Sequence, residues 1–170
     1  VGQHIEILDL EQFGKSLFID GEIQVASTDE HLYSSTFVGS SLNLNKDNER
    51  AAIIGGGDGG VARECISKKF NFIDWYELDP EVVRACQKHL IKVCGDIKAN
   101  NKVKTFWGDA FESIKKVKDS KYDKIFVDLN DDQFCINLAA KNMKGLKRIL
   151  KPGGIITAQV GCMSKKPKQV

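Results

Sequence analysis

Two hydrophobic periods divide this chain. Apolar and polar residues alternate from His4 to Leu10, again from Ser16 to Ile19, and again from Glu22 to Ala26. A period of two belongs to a strand with one face covered. Asp20-Gly21, between the second and third runs, is a strong hairpin signal. Residues 1–28 are therefore expected to form a small antiparallel β element. After it the pattern changes. Ser27-Thr28-Asp29-Glu30 reads as the start of a helix reaching about Leu42, with Tyr33, Phe37 and Leu44 as its apolar contacts. Asn43 to Arg50 is polar and reads as a loop. Short apolar strands then alternate with helical spacing. The strands are Ala51–Ile54, Phe70–Tyr76, Val103–Trp107, Ile125–Val127 and Ile155–Val160. The helices run over Val61–Lys69, Pro80 to about Val93, Phe111–Val117 and Phe134–Leu150, the last stopped by Lys151-Pro152-Gly153-Gly154. Val83, Cys86, Leu90 and Val93 recur at helical spacing and belong to a core. This alternation over residues 29–170 predicts an α/β, doubly wound, Rossmann-like parallel sheet.

Ile53-Ile54-Gly55-Gly56-Gly57-Asp58-Gly59-Gly60 joins the first of these strands to its helix without a spacer. Glycine serves where the backbone turns sharply or where a ligand approaches with no Cβ in the way. The next strand ends in Glu77-Leu78-Asp79-Pro80, about twenty residues on, where an acid can accept from both hydroxyls of a ribose. Together they predict nucleoside binding, with Gly55 and Gly57 at the close approach.

Ligands of open parallel sheets bind at the carboxyl ends of the strands. Asp58, Glu77, Asp109 and Asp128 all fall there. One such acid can simply cap the following helix, as Asp58 or Asp109 could. Four lining one crevice repel one another unless something cationic or rich in donors is bound. Glu77 suits a ribose, and Asp109 with the Ala110 backbone suits the amino edge of adenine. Asp58, Asp128 and Asp131 favour amines over a ligand carrying its own carboxylate. Gln3 and Gln24 read as amides at the strand ends of the β element.

Composition narrows the partners. The chain has 170 residues, enough for one domain with a real core, and its net charge is +2. Neither a nucleic acid nor a membrane surface is implied. No apolar run approaches a membrane span, and Val1-Gly2-Gln3-His4 is no signal peptide. Lys165, Lys166 and Lys168 read as a solvated end. Cys65, Cys86, Cys94, Cys135 and Cys162 lack metal or CxxC spacing, which suits free thiols in a reducing cytoplasm. His4, His31 and His89 show no ligand spacing, so no metal is expected. The first residues fall inside a strand pattern with no Met start, so the chain is expected to be a piece of a longer protein.

Gln3-x-Ile5-x-Ile7, Leu17-Phe18-Ile19-Asp20-Gly21-x-x-Gln24, Asp29-Glu30-x-x-Tyr33 and the Gly55–Gly60 block together resemble the polyamine aminopropyltransferases, the spermidine and spermine synthases. The resemblance spans nearly the whole chain. Lys88 to Cys94-Gly95-Asp96 and Phe37-Val38-Gly39-Ser40 are closer to the spermine synthase branch. It implies transfer of an aminopropyl group from decarboxylated S-adenosylmethionine, a co-substrate, to spermidine or putrescine, releasing methylthioadenosine. No prosthetic group is implied. Gln3, Glu77, Asp109 and Ala110 would hold the nucleoside, Asp58 the amine part, and Asp128 would act as base with Tyr33 beside it. Gln24 and Asp131 join them around the acceptor, and a homodimer is the expected assembly. Asp128-Leu129-Asn130-Asp131-Asp132 departs from the Asp-Ser-Ser-Asp-Pro of spermidine synthases, and Ser34 stands where many bacterial members have His. Two other functions fit the same fold: an S-adenosylmethionine-dependent methyltransferase, and an inactive relative serving as a binding or regulatory subunit.

Overall fold

The computed structural model describes residues 2–161, so Val1, Cys162 and the lysines at 165, 166 and 168 lie outside the described residues. Strands β1 (Ile5–Leu10), β2 (Gly14–Ile19) and β3 (Glu22–Ala26) form an antiparallel sheet in that order. Asp20 and Gly21 both take positive φ, 51° and 81°, which a two-residue hairpin turn of primed type requires. Ile19 pairs with Glu22 and Phe18 with Ile23, but Leu17 pairs with Val25. Gln24 is therefore the extra residue of a β-bulge inside β3, which corrects its expected place at a strand end.

The first helix, α1 (Glu30–Leu44), begins later than the polar run suggests. Ser27 N–H donates to Lys15 O and Thr28 Oγ1 to Phe13 O, so both residues are bound to the β2 region instead of the helix. Its buried face carries Ser34, Phe37, Val38 and Ser41, whereas Leu44 is 76% exposed and is not the apolar contact expected of it.

Five parallel strands make the second sheet: β4 (Arg50–Gly55), β5 (Phe72–Glu77), β6 (Val103–Trp107), β7 (Tyr122–Asp128) and β8 (Leu150–Ala158). Their order is β6-β5-β4-β7-β8, the doubly wound arrangement, with β4 at the centre and Ile53, Phe72, Phe106 and Phe126 in one sheet as the pattern predicts. The connecting helices are α2 (Gly60–Ser67), α3 (Pro80–His89), the four-residue α4 (Ile91–Cys94), α5 (Ala110–Ile114) and α6 (Gln133–Ile149). The single helix expected from Pro80 to Val93 is thus broken at Leu90. That side chain is 2% exposed and joins Cys86 and Val93 in packing under Leu17 and Val25 of the antiparallel sheet. Helix α6 passes directly into β8. Lys151-Pro152-Gly153-Gly154 is a bulge within that strand instead of a break before it, because Tyr122 faces Leu150 and Lys124 faces Ile155.

The sheet's two faces are covered separately. Phe37, Val38, Val61 and Cys65 pack on Ile53, Trp75 and Phe126, while Phe111, Ile114, Leu146 and Ile149 pack on Ile54, Tyr76 and Ile125. Cys65, Cys86 and Cys94 are buried free thiols and Cys135 is half-buried. Among the described residues no helix is long and apolar enough to cross a membrane.

One polar chain crosses the second face. Tyr122 Oη donates to Asp74 Oδ2 over 2.6 Å and meets the Tyr76 hydroxyl at 2.7 Å, and Lys121 pairs with the same carboxylate. Removing a buried donor leaves its acceptor paying the desolvation penalty. Tyr122→Phe should therefore destabilise the protein by about 1–3 kcal/mol, read as a lowered urea midpoint at unchanged slope.

Candidate functional site

In this topology the chain leaves β4 in opposite directions on its two sides, and the crevice opens above the carboxyl ends of β4 and β7. The glycine turn fills it with backbone. Gly55 and Gly56 have φ of 80° and 68°, and a Cβ on Gly55 would lie 2.4 Å from Asp128 O. Gly56 N–H donates to that same carbonyl over 2.8 Å. On its other side the turn meets Glu77, whose Oε2 lies 3.1 Å from where a Gly57 Cβ would stand. Asp128 Oδ2 lies 3.0 Å from the Cβ position of Gly56. Three glycines thus form a thin wall between two carboxylates: a Cβ on Gly55 would strike backbone, and one on Gly56 or Gly57 would press on the carboxylates themselves.

Each acid is held from a different element. Asp58 Oδ1 accepts from Gly60 N–H at 2.6 Å, the start of α2. Glu77 Oε1 accepts from Asp79 N–H at 2.9 Å. Asp128 Oδ1 accepts from the Tyr33 hydroxyl at 2.6 Å, so α1 reaches over the end of β7. Tyr33 is stacked on Phe37, ring centroids 5.4 Å apart, and Phe37 leans on Phe126 of β7. Gln159, just past β8, completes the cluster. With its amide nitrogen turned toward the acceptors it lies 3.2 Å from Asp128 Oδ1 and from Leu129 O, and 3.1 Å from the Tyr33 hydroxyl.

These groups line a cleft of about 1290 Å³ between the two sheets. Gln3, Gln24, Tyr33, Gly55, Gly57, Asp58, Glu77, Asp128 and Asp131 all reach it. Asp109 and Ala110 are not in its lining. Asp109 is exposed and caps α5, with Oδ1 accepting from Phe111 N–H at 2.7 Å and Glu112 N–H at 3.3 Å. It remains beside Glu77 because Gly108 N–H donates to Glu77 O at 2.9 Å. The sequence reading missed two groups. Gln159 follows the strand-end rule applied to the other acids but is uncharged. Glu30 looks like an ordinary first-turn acid, yet it is 4% exposed and paired with Arg63 at 2.6 Å.

The lining is electrostatically one-sided. Glu22, Asp29, Glu30, Asp58, Glu77, Asp79, Asp128 and Asp131 contribute carboxylates, and among the described residues no Lys, Arg or His lines the cleft. Burial pushes the Asp128 carboxyl up to about 7, with the charge of Asp58 adding to it and the Tyr33 hydrogen bond opposing. Asp58 is likewise raised by burial, to about 6, against the bond from Gly60. Burial raises Glu77 as well. The Tyr33 hydroxyl is driven upward by burial and by the Asp128 charge, so it stays a neutral donor.

The frame is thus a Rossmann-like sheet with an acid at the end of β5 and a cleft of carboxylates at the switch point. Residues 30–170 match the spermine/spermidine synthase domain. The polyamine aminopropyltransferase of Prochlorococcus marinus strain AS9601 is 34% identical over 160 residues, covering 92% of this chain and 56% of the relative. Polyamine aminopropyltransferase 1 of Hyperthermus butylicus is 33% identical over 98% of this chain and 59% of its own length. A spermidine synthase solved in complex with the transition state analogue AdoDATO superposes with a TM-score of 0.89 at 22% identity, over 98% of this chain and 58% of that one. The spermidine synthase of Thermotoga maritima gives 0.87 at 23% identity, over 97% and 56%. At these identities the structural likeness is one of fold. The chain belongs to the spermine/spermidine synthase family, and it spans somewhat more than half the length of these curated relatives.

The raised carboxyls set a pH dependence. A carboxyl more basic in the folded than in the unfolded state binds extra protons when folded, so unfolding releases them. Its contribution to stability is greatest at acid pH and is lost as pH rises through the folded values near 6 and 7. Between pH 5 and 8 the unaltered protein should lose more unfolding free energy than Asp58→Asn/Asp128→Asn, by on the order of 3–4 kcal/mol, in urea titrations of both.

Proposed function

We propose that residues 29–170 are the catalytic domain of an aminopropyltransferase, with residues 1–28 supplying a β wall to its cleft. It transfers the aminopropyl group of decarboxylated S-adenosylmethionine to an amine and releases methylthioadenosine. The observation that carries this reading is the cleft lined by carboxylates without a basic residue among the described ones, beside a glycine turn and a strand-end acid. Intact S-adenosylmethionine would bring a carboxylate toward Asp58; its decarboxylated form brings only an ammonium. Family membership and the relatives' names support the same chemistry.

In this reading Glu77 takes the ribose hydroxyls, Gln3 closes over the nucleoside, and Gly55 and Gly57 let it approach the backbone. Asp109 and Ala110 meet the adenine edge from just outside the cleft lining, with the capping bond at Asp109 Oδ1 retained. Asp58 holds the amine of the aminopropyl chain. The acceptor arrives as an ammonium, drawn to Asp128 and, farther out, to Asp131 and Gln24. The Tyr33 hydroxyl orients Asp128. Its carboxylate receives the acceptor's proton as nitrogen attacks the carbon next to sulfur. The new C–N bond forms as the C–S bond breaks, and sulfur leaves as a neutral thioether carrying the bonding pair. Burial and the Asp58 charge raise the proton affinity of Asp128, which suits it to take that proton at neutral pH. Placement of two bound reactants in line supplies much of the remaining rate. Leu129 after Asp128, and the Phe37–Ser40 and Lys88–Asp96 segments, favour spermidine over putrescine as acceptor. The free thiols suit a reducing compartment such as the cytoplasm, and a homodimer is the proposed assembly.

Calorimetry tests the assignment: methylthioadenosine should bind and intact S-adenosylmethionine should bind less well, the reverse order favouring a methyltransferase. Methylthioadenosine bound without turnover of either donor would favour a regulatory subunit. Glu77→Gln should weaken methylthioadenosine by about 1–3 kcal/mol, the scale of a charge-assisted hydrogen bond. Asp128→Asn should lower turnover by at least about a hundredfold while acceptor affinity falls less. A melting shift of several degrees with turnover intact would make Asp128 a structural residue instead.

A further inference from the structure

Glu30 opens α1 and is the least exposed carboxylate of the cleft lining. An acid in a helix's first turn ordinarily sits in water and answers the helix dipole. Here Arg63 of α2 grips it with both nitrogens, Nη1 to Oε2 at 2.6 Å and Nη2 to Oε1 at 3.2 Å. The Ser34 hydroxyl donates to Oε1 over 2.5 Å. A Cβ on Gly60 would stand 2.1 Å from that same oxygen, so the carboxylate rests directly on the first turn of α2. Arg63 Nη1 also donates to Val93 O in α4, and its Cγ lies 3.3 Å from the Cβ position of Gly95. Three helices meet on one guanidinium.

Stability does not account for this arrangement. A buried ion pair is often matched or bettered by apolar side chains of similar volume. What apolar contacts lack is direction, which a fork of hydrogen bonds supplies. The direction matters because of what each helix carries. Tyr33 lies three residues beyond Glu30, one turn along α1, and puts its hydroxyl on Asp128. Gly60, beneath Glu30, holds Asp58 by its N–H. The clamp therefore links the two supports of the cleft's central acids.

We infer that Glu30 is a positioning residue: clamped by Arg63 and Ser34 onto the first turn of α2, it sets the seat of α1 that places the Tyr33 hydroxyl on Asp128. The inference takes its chemistry from the function proposed above, while the geometry stands without it. A shift of α1 by about 1 Å would carry the Tyr33–Asp128 contact out of hydrogen-bonding range, and errors of that size cost enzymes up to about a hundredfold in rate.

Glu30→Gln keeps the volume and loses the charge. It should lower kcat by about ten- to a hundredfold. KM for decarboxylated S-adenosylmethionine should stay within about threefold, because Asp58 and Glu77 are held by the backbone N–H groups of Gly60 and Asp79 and not by α1. On a Tyr33→Phe background the same change should lower kcat by less than about twofold, since both act through one contact. Full multiplication of the two losses would overturn the inference. The second readout needs no activity. With tyrosine labelled at Cζ, the Tyr33 resonance should move in Glu30→Gln in the direction it moves in Asp128→Asn, and an unmoved resonance overturns the inference. If the unaltered protein releases no methylthioadenosine, the functional reading fails while the resonance still decides the clamp. Arg63→Lys, which keeps the charge but loses the fork, carries both readouts should Glu30→Gln not fold.

Discussion

Everything at the site depends on how closely two strand ends approach one another. The Gly56 N–H bonded to the Asp128 carbonyl joins the turn after β4 to the end of β7, and only a backbone without side chains fits between them. From that contact the rest is spaced. Asp128 and Glu77 stand on either side of a wall one residue thick, Asp58 follows on the helix that the turn begins, and Tyr33 arrives from above. A single methyl at Gly55 would collide with Asp128 O and also force an L residue into a left-handed conformation. The glycines are thus spacers for charge as much as hinges for the chain.

The same closeness creates an electrostatic problem that a bound cation would resolve. Like charges gathered in a half-buried crevice raise one another's proton affinity. In the free protein, protons offset part of that repulsion near neutrality. An ammonium placed among the acids would do so more completely and would expel those protons as it bound. Under the proposed function, recognition and proton release would be one event, and Asp128 would be charged once the cation had arrived.

Much of this was legible in the sequence because the relevant signals are local. The glycine block, the acid ending β5 and the hairpin at Asp20-Gly21 each occupy a few consecutive residues, and strand–helix alternation gave the sheet. What was not legible depends on partners far apart in sequence. Glu30 and Arg63 are 33 residues apart, and nothing near either marks it as buried. Gln159 meets Tyr33 across 126 residues. Leu44 looked like core because it is apolar, whereas the buried face of α1 uses Ser34 and Ser41 where small side chains allow close approach. Asp109 shows the converse: its position at a strand end is right, but its carboxylate is engaged in starting a helix.

The bulge at Gln24 bears on how this wall of the cleft can change over evolution. Side chains on a strand alternate between faces, so a shift of one residue exchanges the faces completely. The extra residue at Gln24 lets Val25 and Leu17 point into the core while Ile23 pairs with Phe18 nearer the turn. Gain or loss of a single residue between Phe18 and Gln24 would turn the core-facing set outward, or carry the amide away from the cleft. Changes of two residues would leave both faces in place. Length variation in this hairpin is therefore expected to come in pairs, and the chemistry of the wall is free to drift by substitution long before it can drift by insertion.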